Sequence, residues 1–240
     1  MNLSNVTLVC FGSRDQYSAC IKAIEYSTKK INFGYIYLFT DIPLQIQNDK
    51  ILNIVIPSFP SVEEWGKFVV FDLHQYIKTK FICLIHEDGF IVNPDQWRND
   101  FLNYDYIGAP WPISSDGVSY ISPQGKVIRV GNSVSLRSKK ILELPSKLKL
   151  NWDSAHVSKY HEDGFLCVQN HEILIENGIT FAPFELACQF AREEPLYENR
   201  MISPFAFHKW KGPNSTFPCF NKFFQLKKKL KKSLNYLSSL

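Results

Sequence analysis

A chain of 240 residues, 45% of them hydrophobic and 15% aromatic, is long enough to bury a sizeable core. That composition excludes a largely disordered chain and suits one α/β domain, alone or with a small appendage. The net charge of +4 is uneven, because Lys222 to Leu240 holds six lysines and no acid. The other 21 basic and 23 acidic side chains leave a body of charge −2, which argues against nucleic acid as the main partner.

The six cysteines form no CxxC pair, and several stand in apolar runs where cysteine packs as a small hydrophobe. We therefore expect reduced thiols and a cytoplasmic protein. The N-terminus, MNLSNVTLVCF, lacks a basic region followed by a cleavable apolar segment, and no apolar run is long enough to cross a bilayer. We expect neither secretion by that route nor a transmembrane span.

The first quarter of the chain alternates strand and helix patterns. Buried strands are predicted over Val6–Phe11 and Tyr35–Phe39, with a helix from about Gln16 to Lys30 between them. A third strand is predicted over Ile51–Ile56, and a helix from Ser61 to Tyr76. This order predicts the βαβ unit of a nucleotide-binding half. Neither GxGxxG nor GxxxxGK[ST] is present, so a nucleotide would be bound by another design.

Phe81 to Phe90, FICLIHEDGF, joins an apolar run to side chains capable of metal and acid–base chemistry. Its first five residues predict a strand buried on both faces, and His86, Glu87 and Asp88 follow where that strand ends. Ligands of open α/β sheets bind just beyond such strand ends. Side-chain alternation places His86 and Asp88 on one face and Glu87 on the other, which predicts half of a divalent-metal site. A solvated turn is an equal alternative.

The second half of the chain is less regular. Its predicted segments are a short helix (Pro94–Asn103), a strand (Tyr104–Trp111), a mobile loop near the site (Ser114–Gln124), a segment over Val127–Leu136, a helix beginning at Ser138, a short strand (Phe181–Phe184), a helix (Glu185–Glu193) and a closing SPFAFH (Ser203–His208). Gly131 and Asn132 are predicted to allow close approach of the backbone to a ligand.

The pentapeptide HEDGF occurs twice, at His86–Phe90 and His161–Phe165. The flanking residues differ, so no domain is duplicated. In the second copy, Glu162 and Asp163 are suited to supply one carboxylate to a metal and another as a general base. The residues alone favour a structural alternative, in which this pair stabilises the N-terminus of a helix over Leu166–Asn177 through its dipole.

Five ordered segments together resemble a bacterial domain-of-unknown-function family of predicted glycosyltransferases. They are Trp65–Trp111, Val130–Leu142 (VGNSVSLRSKKIL), His161–Cys167 (HEDGFLC), Gly178–Glu193 (GITFAPFELACQFARE) and Pro204–His208 (PFAFH). The members of that family are similar to the GT-A fold of nucleotide-sugar transferases. The resemblance covers the chain from about Val6 to His208.

The resemblance implies roles for individual residues. Asp88, with His86 two residues before it, matches a DxD-like metal motif, although His-Glu-Asp replaces the usual two aspartates. His208 matches the C-terminal histidine that completes a metal or diphosphate site, so the implied cofactor is Mn²⁺ or Mg²⁺. Asp163 and, as runner-up, Glu162 match the acidic pair that supplies the catalytic base in similar inverting β-1,3-glycosyltransferases. The residues implied to bind the donor nucleotide and sugar are Phe11, Gly12, Ser13, Arg14, Thr40, Asp41, Glu87, Asn132 and Trp111, although Trp111 fits a core position equally well.

The implied architecture is one GT-A-like, Rossmann-related α/β domain over residues 1–221, with a mixed, mostly parallel central sheet flanked by helices. The implied activity is inverting, metal-assisted transfer of a sugar from a nucleotide-sugar, a UDP-sugar by default, to a hydroxyl of a saccharide or lipid-linked acceptor in surface polysaccharide (capsule or O-antigen) synthesis. Alternatives are a metal-dependent phosphohydrolase and a non-catalytic sugar-nucleotide-binding module. A nucleic-acid binder is least favoured.

Residues 222–240 form a separate pattern, because apolar side chains recur there at spacings of three and four with lysines among them. The pattern predicts a basic amphipathic C-terminal helix suited to an anionic membrane surface. A helix packed on the body or on a dimer partner is the alternative. We expect a cytoplasmic protein attached peripherally to the inner face of the cell membrane, where lipid-linked acceptors would lie.

Overall fold

The computed structural model describes residues 1–13, 15–152 and 161–221. The strands of its main sheet are β1 (Asn2–Phe11), β2 (Asn32–Thr40), β3 (Leu52–Val55), β4 (Phe81–Ile85), β5 (Tyr106–Pro110) and β6 (Val130–Ser138). They form one six-stranded sheet in the order β3-β2-β1-β4-β6-β5. The first four strands are parallel to one another, whereas β6 is antiparallel to both β4 and β5. The prediction of a mixed, mostly parallel sheet is confirmed.

Helices cover both faces of this sheet. They are α1 (Tyr17–Thr28), α2 (Val62–Phe71), α3 (Lys139–Lys147), α4 (Glu162–Gly164), α5 (His171–Glu176) and α6 (Phe184–Phe190). Two of them begin at a serine whose hydroxyl accepts a backbone N–H: Ser61 from Glu64, and Ser138 from Ile141. Two short strands, β7 (Ala191–Arg192) and β8 (Ala206–Phe207), pair in parallel beside the main sheet.

The central strands are buried on both faces, as their unbroken apolar runs predict. Alternate residues of β1 belong to different clusters: Leu8 packs with Ala23 of α1, whereas Val9 packs with Val69 of α2. Within the described residues, no helix has the length and apolar character needed to cross a membrane.

Several predicted elements differ from those observed. The helix predicted over Pro94–Asn103 is two 3-10 turns, Pro94–Gln96 and Asn99–Asn103, because the intervening Trp97 and Arg98 have extended backbones. The strand predicted over Phe181–Phe184 reduces to one bridge between Phe181 and Tyr106.

The helices at two other places are interrupted or shorter than predicted. The first, predicted from Ser61 to Tyr76, is α2 followed by a 3-10 turn over Leu73–Tyr76. The second, predicted over Leu166–Asn177, is a π-helical turn, Phe165–Gln169, followed by α5. The predicted C-terminal helix over residues 222–240 lies outside the described residues.

Candidate active site

The carboxyl ends of β1, β2 and β4 lie at one edge of the sheet because these strands are parallel. Since β6 is antiparallel to β4, its first residues reach the same edge. Two cavities open there. One, of about 450 Å³, contains Asp88, Asp163 and Glu193, and we call it the acidic cavity. The other, of about 500 Å³, contains Phe11 and Phe39, and we call it the aromatic cavity.

The structure brings the predicted site residues together in these two groups. The acidic cavity is lined by the predicted metal, base and sugar residues His86, Asp88, Trp111, Asn132, Glu162, Asp163 and His208. The aromatic cavity is lined by the predicted nucleotide residues Phe11, Gly12, Ser13, Thr40, Asp41 and Glu87. Trp65 and His86 line both cavities, so the two are neighbours. Arg14 lies outside the described residues.

A tight turn at the end of β4 directs its polar side chains into different cavities. His86 N–H donates to the carbonyl of Gly89 at 2.7 Å, and Gly89 N–H donates back at 3.3 Å. Glu87 lies in the aromatic cavity, where it accepts a hydrogen bond from Gln16 at 2.9 Å, whereas Asp88 lies in the acidic cavity. Glu87 and Asp88 thus lie in different cavities, as the predicted alternation requires, whereas His86 lines both.

His208 lies between two carboxylates. Its Nε2 is 3.6 Å from Asp88 Oδ1, and its Nδ1 is 3.5 Å from Glu193 Oε1. Although burial opposes the shift, the close approach of Asp88 and the negative charges of both carboxylates raise the pKa of His208. Glu193 also accepts a hydrogen bond from Asn132 Nδ2 at 2.5 Å and pairs with the ammonium of Lys209.

Sequence reasoning missed Glu193 and Lys209. Glu193 was predicted to end a helix, but α6 ends at Phe190 and β7 follows. Since β7 and β8 are parallel, the residues that follow them, Glu193 and His208, lie side by side. The same strand-end rule that identified Asp88 would have identified Glu193, had a two-residue strand been recognisable in the sequence.

The donor atoms of Asp88 and His208 fit a hard divalent cation that takes further ligands from a substrate. Carboxylate oxygen and imidazole nitrogen suit Mn²⁺ and Mg²⁺, and Mg²⁺ sites often combine one or two carboxylates with substrate phosphates. In residues 1–13, 15–152 and 161–221, no three His, Cys, Asp or Glu side chains form a ready-made metal site.

A hydrogen-bonded chain fixes the tautomer of His86. Arg137 pairs with Glu162 Oε1 at 2.8 Å, and Ser133 Oγ is 2.6 Å from that oxygen and 2.8 Å from His86 Nε2. Burial and the charge of His208 lower the pKa of His86 to about 4, so the ring is neutral. Because Ser133 donates to the carboxylate, it accepts from His86 Nε2–H. Nδ1 is then the ring nitrogen with a lone pair, and Nε2 is engaged in this chain.

The two members of the acidic pair have different surroundings. Glu162 is 1% exposed and its Oε1 accepts from both Ser133 and Arg137, which makes it a structural anion. Asp163 is half-buried, and its Oδ1 accepts the N–H of Gly164 at 2.7 Å. Burial and the charge of Glu162 raise the pKa of Asp163 to about 7. Such a value suits a general base at neutral pH, so the geometry favours Asp163 over Glu162.

The prediction that Gly131 allows a ligand to approach the backbone was wrong. A Cβ at Gly131 would come within 2.0 Å of the Trp111 ring, so this glycine accommodates an indole and not a ligand. Trp111 is 5% exposed and lines the acidic cavity, and it therefore serves both the core and the site. Asn132 has a φ of 81°, and its Oδ1 accepts the N–H of Val134 while its amide holds Glu193.

Comparison with known proteins identifies the fold. The model of the family described as "Protein of unknown function (DUF5672)" matches residues 58–208. No curated protein matches the sequence. The crystal structure of the galactosyltransferase LgtC in complex with donor and acceptor sugar analogs is similar, with a TM-score of 0.52, 15% identity, and 86% of this chain and 87% of that chain covered.

An active-site mutant of LgtC is also similar, with a TM-score of 0.52 and 14% identity over 93% of this chain and 95% of that chain. At these identities the likeness shows the fold alone, which is the GT-A fold. The predicted fold class is confirmed. Donor, acceptor and stereochemical course do not follow from the likeness.

Proposed function

This chain belongs to the DUF5672 family, and we propose that it is a glycosyltransferase that uses a nucleotide-sugar donor. The observation that carries the proposal is the pair of neighbouring cavities that meet at Trp65 and His86. One cavity is built from the strand-end loops that suit a nucleotide. The other contains Asp163, with its pKa near 7, and the Asp88–His208 pair.

In the proposed reaction, the acceptor hydroxyl attacks the anomeric carbon while the bond to the nucleoside diphosphate breaks. Asp163 takes the proton of that hydroxyl during the attack, because a carboxylate within hydrogen-bond reach avoids a free alkoxide. Asp88 and His208 would hold a Mn²⁺ or Mg²⁺ ion, which when bound neutralises charge on the departing diphosphate. Lys209, whose ammonium pairs with Glu193, supplies a further positive charge to the same cavity.

The stereochemical course, the donor nucleotide and the acceptor are also proposals. We propose a single displacement that inverts the anomeric centre, with Asp163 as the base, because Asp163 lines the acidic cavity with a raised pKa whereas Glu162 is held by Arg137. Uridine diphosphate is the proposed donor nucleotide. The proposed acceptor is a saccharide or lipid-linked saccharide of surface polysaccharide synthesis, as the sequence resemblance implies.

A thermal-shift screen against nucleoside diphosphates and their sugars, with and without Mn²⁺, tests the donor class. A ligand at 100 times its Kd stabilises the fold by about 2.7 kcal/mol, which such a screen detects. We expect a Mn²⁺-dependent shift with one nucleotide that is lost in Asp88→Ala. The matched control is Asp100→Ala, because Asp100 lies outside both cavities and pairs with Arg98 at the surface. No shift with any nucleotide would refute the proposal.

Turnover separates a transferase from the two alternatives. Incubation with the stabilising sugar nucleotide and a panel of saccharides should yield a glycosylated product whose anomeric configuration is read by NMR. Release of free phosphate or sugar phosphate, unaffected by saccharides, would identify a phosphohydrolase instead. Binding without any consumption of the sugar nucleotide would identify a binding module.

A further inference from the structure

Trp111 and Tyr120 form a stacked aromatic pair in the acidic cavity. Their ring centroids are 4.8 Å apart and the rings are inclined by 28°. Both residues line the acidic cavity, and neither lines the aromatic cavity. Trp111 is fixed from behind by Gly131, at which a Cβ would overlap the indole. The pair is therefore a rigid apolar surface in the half of the site that contains Asp163.

The backbone at Tyr120 is held in a conformation that costs energy. Its φ of 61° lies in the left-handed region, which a bulky side chain rarely adopts. The carbonyl of Tyr120 accepts the N–H of Ile128 at 2.7 Å. Further along the same loop, Ser122 donates to Glu172 at 2.9 Å, which ties the loop to α5. The fold thus maintains a strained residue at the cavity.

The phenol of Tyr120 lies near the acidic groups of the cavity. Burial, followed by the negative charges of Glu193 and Asp163, raises the pKa of Tyr120. The hydroxyl therefore stays protonated at neutral pH and can both donate and accept a hydrogen bond. Tyr120 combines an apolar ring face with a polar tip, and it lines the same cavity as Asp163, the carboxylate that we propose as the base.

We propose that Tyr120 binds the acceptor, and that the reacting residue of the acceptor is a pyranose whose ring stacks on this aromatic surface. The inference rests on the proposed function and adds the chemical class of the acceptor. A pyranose has an apolar C–H face and a rim of hydroxyls, which matches an aromatic face beside a carboxylate. A flexible alkyl alcohol has no flat face to stack. The donor nucleotide would instead occupy the aromatic cavity, which lies on the other side of Trp65 and His86.

The test uses the full chain with saturating sugar nucleotide and a panel of methyl pyranosides, with 1-octanol as a hydroxyl compound without a ring. Tyr120→Ala should raise the acceptor KM by about tenfold, the size of a lost stacking contact. Tyr120→Phe should keep the acceptor KM within about twofold, because the ring remains. The KM for the donor and the nucleotide-induced thermal shift should not change in either variant.

Tyr197→Ala is the matched control, because Tyr197 is 76% exposed and lines neither cavity. An unchanged acceptor KM in Tyr120→Ala, or transfer to 1-octanol as efficient as transfer to pyranosides, overturns the inference while the proposed function stands. If no sugar nucleotide is bound or consumed, the proposed function fails and the inference fails with it. The two failures are therefore distinguishable.

Discussion

We predict that Asp163 is needed for activity and that its ionised carboxylate lowers the stability of the fold. Its pKa rises from about 3.9 in an unfolded chain to about 7 in the fold, so the folded state binds a proton more tightly. The contribution of Asp163 to wild-type stability should therefore fall as pH rises from about 4 to about 7, and the Tm difference between wild type and Asp163→Asn should change over that range. Activity should rise with pH through about 7 in the wild type and drop about 10²-fold or more in the variant.

Paired measurements of Tm from pH 4 to pH 8 and of transfer rate check this. Asp100→Asn is the matched control, because Arg98 lowers the pKa of Asp100, so the contribution of this carboxylate to stability stays constant over the measured pH range. Activity should be unaffected in that control. An Asp163→Asn variant that keeps wild-type activity would exclude Asp163 as the base.

Because Arg137 and Glu162 form a buried ion pair, we predict that the stability effects of replacing each of them are not additive. Both side chains are at most 1% exposed, so Glu162→Leu alone leaves an unpaired cation in the core, at a cost of about 3 to 5 kcal/mol. Replacing both, as Arg137→Met with Glu162→Leu, should cost less than the two single changes together, since no charge is left buried. Urea unfolding of the singles and the double variant gives the coupling. Strictly additive costs would contradict the prediction.

At the residue level, sequence motifs predict the side chains whose role depends on their neighbours in the chain. They do not predict the side chains whose role depends on tertiary contacts. Asp88 and Asp163 were predicted as site residues because each stands in a recognisable HEDGF, one at a strand end. Ser133 and Arg137 read as ordinary strand residues, and their roles arise only when β6 brings them against Glu162. The difference in pKa between Glu162 and Asp163 depends on that contact, so no spacing rule could assign the base.

Among the elements, strands that carry unbroken apolar runs were predictable and two-residue strands were not. β1, β2 and β4 have such runs, and their predicted positions agree with the structure to within a few residues. β7 and β8 have no periodicity over two residues, yet their parallel pairing sets Glu193 beside His208. The positions of Glu193 and His208 in the candidate metal and phosphate site thus depend on a tertiary contact that no local sequence pattern predicts.

The turn after β4 predicts a specific effect of Gly89→Ala. A Cβ there would lie 2.6 Å from Val134 Cγ2 and 2.7 Å from His208 Cδ2, so the histidine must move. Overpacking of this size costs about 1 to 3 kcal/mol. The Mn²⁺-dependent nucleotide shift should weaken by more than the loss of stability explains, because His208 no longer stands opposite Asp88.

Gly125→Ala provides the comparison for that variant. A Cβ at Gly125 meets nothing within 4 Å, but its φ of 81° makes any side chain strained. This variant should lose about 1 kcal/mol of stability and keep the nucleotide shift intact. If Gly89→Ala keeps the shift as well, the approach of His208 to the β4 turn has no part in binding.

On the scale of the whole molecule, the fold places two neighbouring cavities at one sheet edge. The parallel strands present their carboxyl ends to the aromatic cavity, and the antiparallel β6 adds Asn132 and Ser133 to the acidic cavity. The alternation of strands and helices in the sequence predicted the parallel strands whose carboxyl ends meet at this edge. The direction of β6 had no local signal in the sequence, and it brings Asn132 and Ser133 to the edge where the two cavities open.

The basic segment over residues 222–240 predicts membrane association that is independent of catalysis. Up to Phe220 the chain is packed on the body, since that ring contacts Tyr26 and Phe90 with centroids 6.0 and 5.4 Å away. A chain ending at Asn221 should therefore keep its Tm and its nucleotide-induced shift. It should lose co-sedimentation with anionic vesicles, because each lysine near such a surface contributes about 1 kcal/mol.

Three comparisons identify the cause of that binding. Changing the six tail lysines to glutamine should abolish sedimentation with phosphatidylglycerol vesicles if charge drives it. Pure phosphatidylcholine vesicles should bind the wild type weakly, and raising the salt from about 0.1 to about 1 M should release it, because the Debye length falls from about 10 to about 3 Å. A chain ending at Asn221 that still sediments with anionic vesicles would place membrane binding on the folded body, and the acceptor would then reach the acidic cavity without help from the tail.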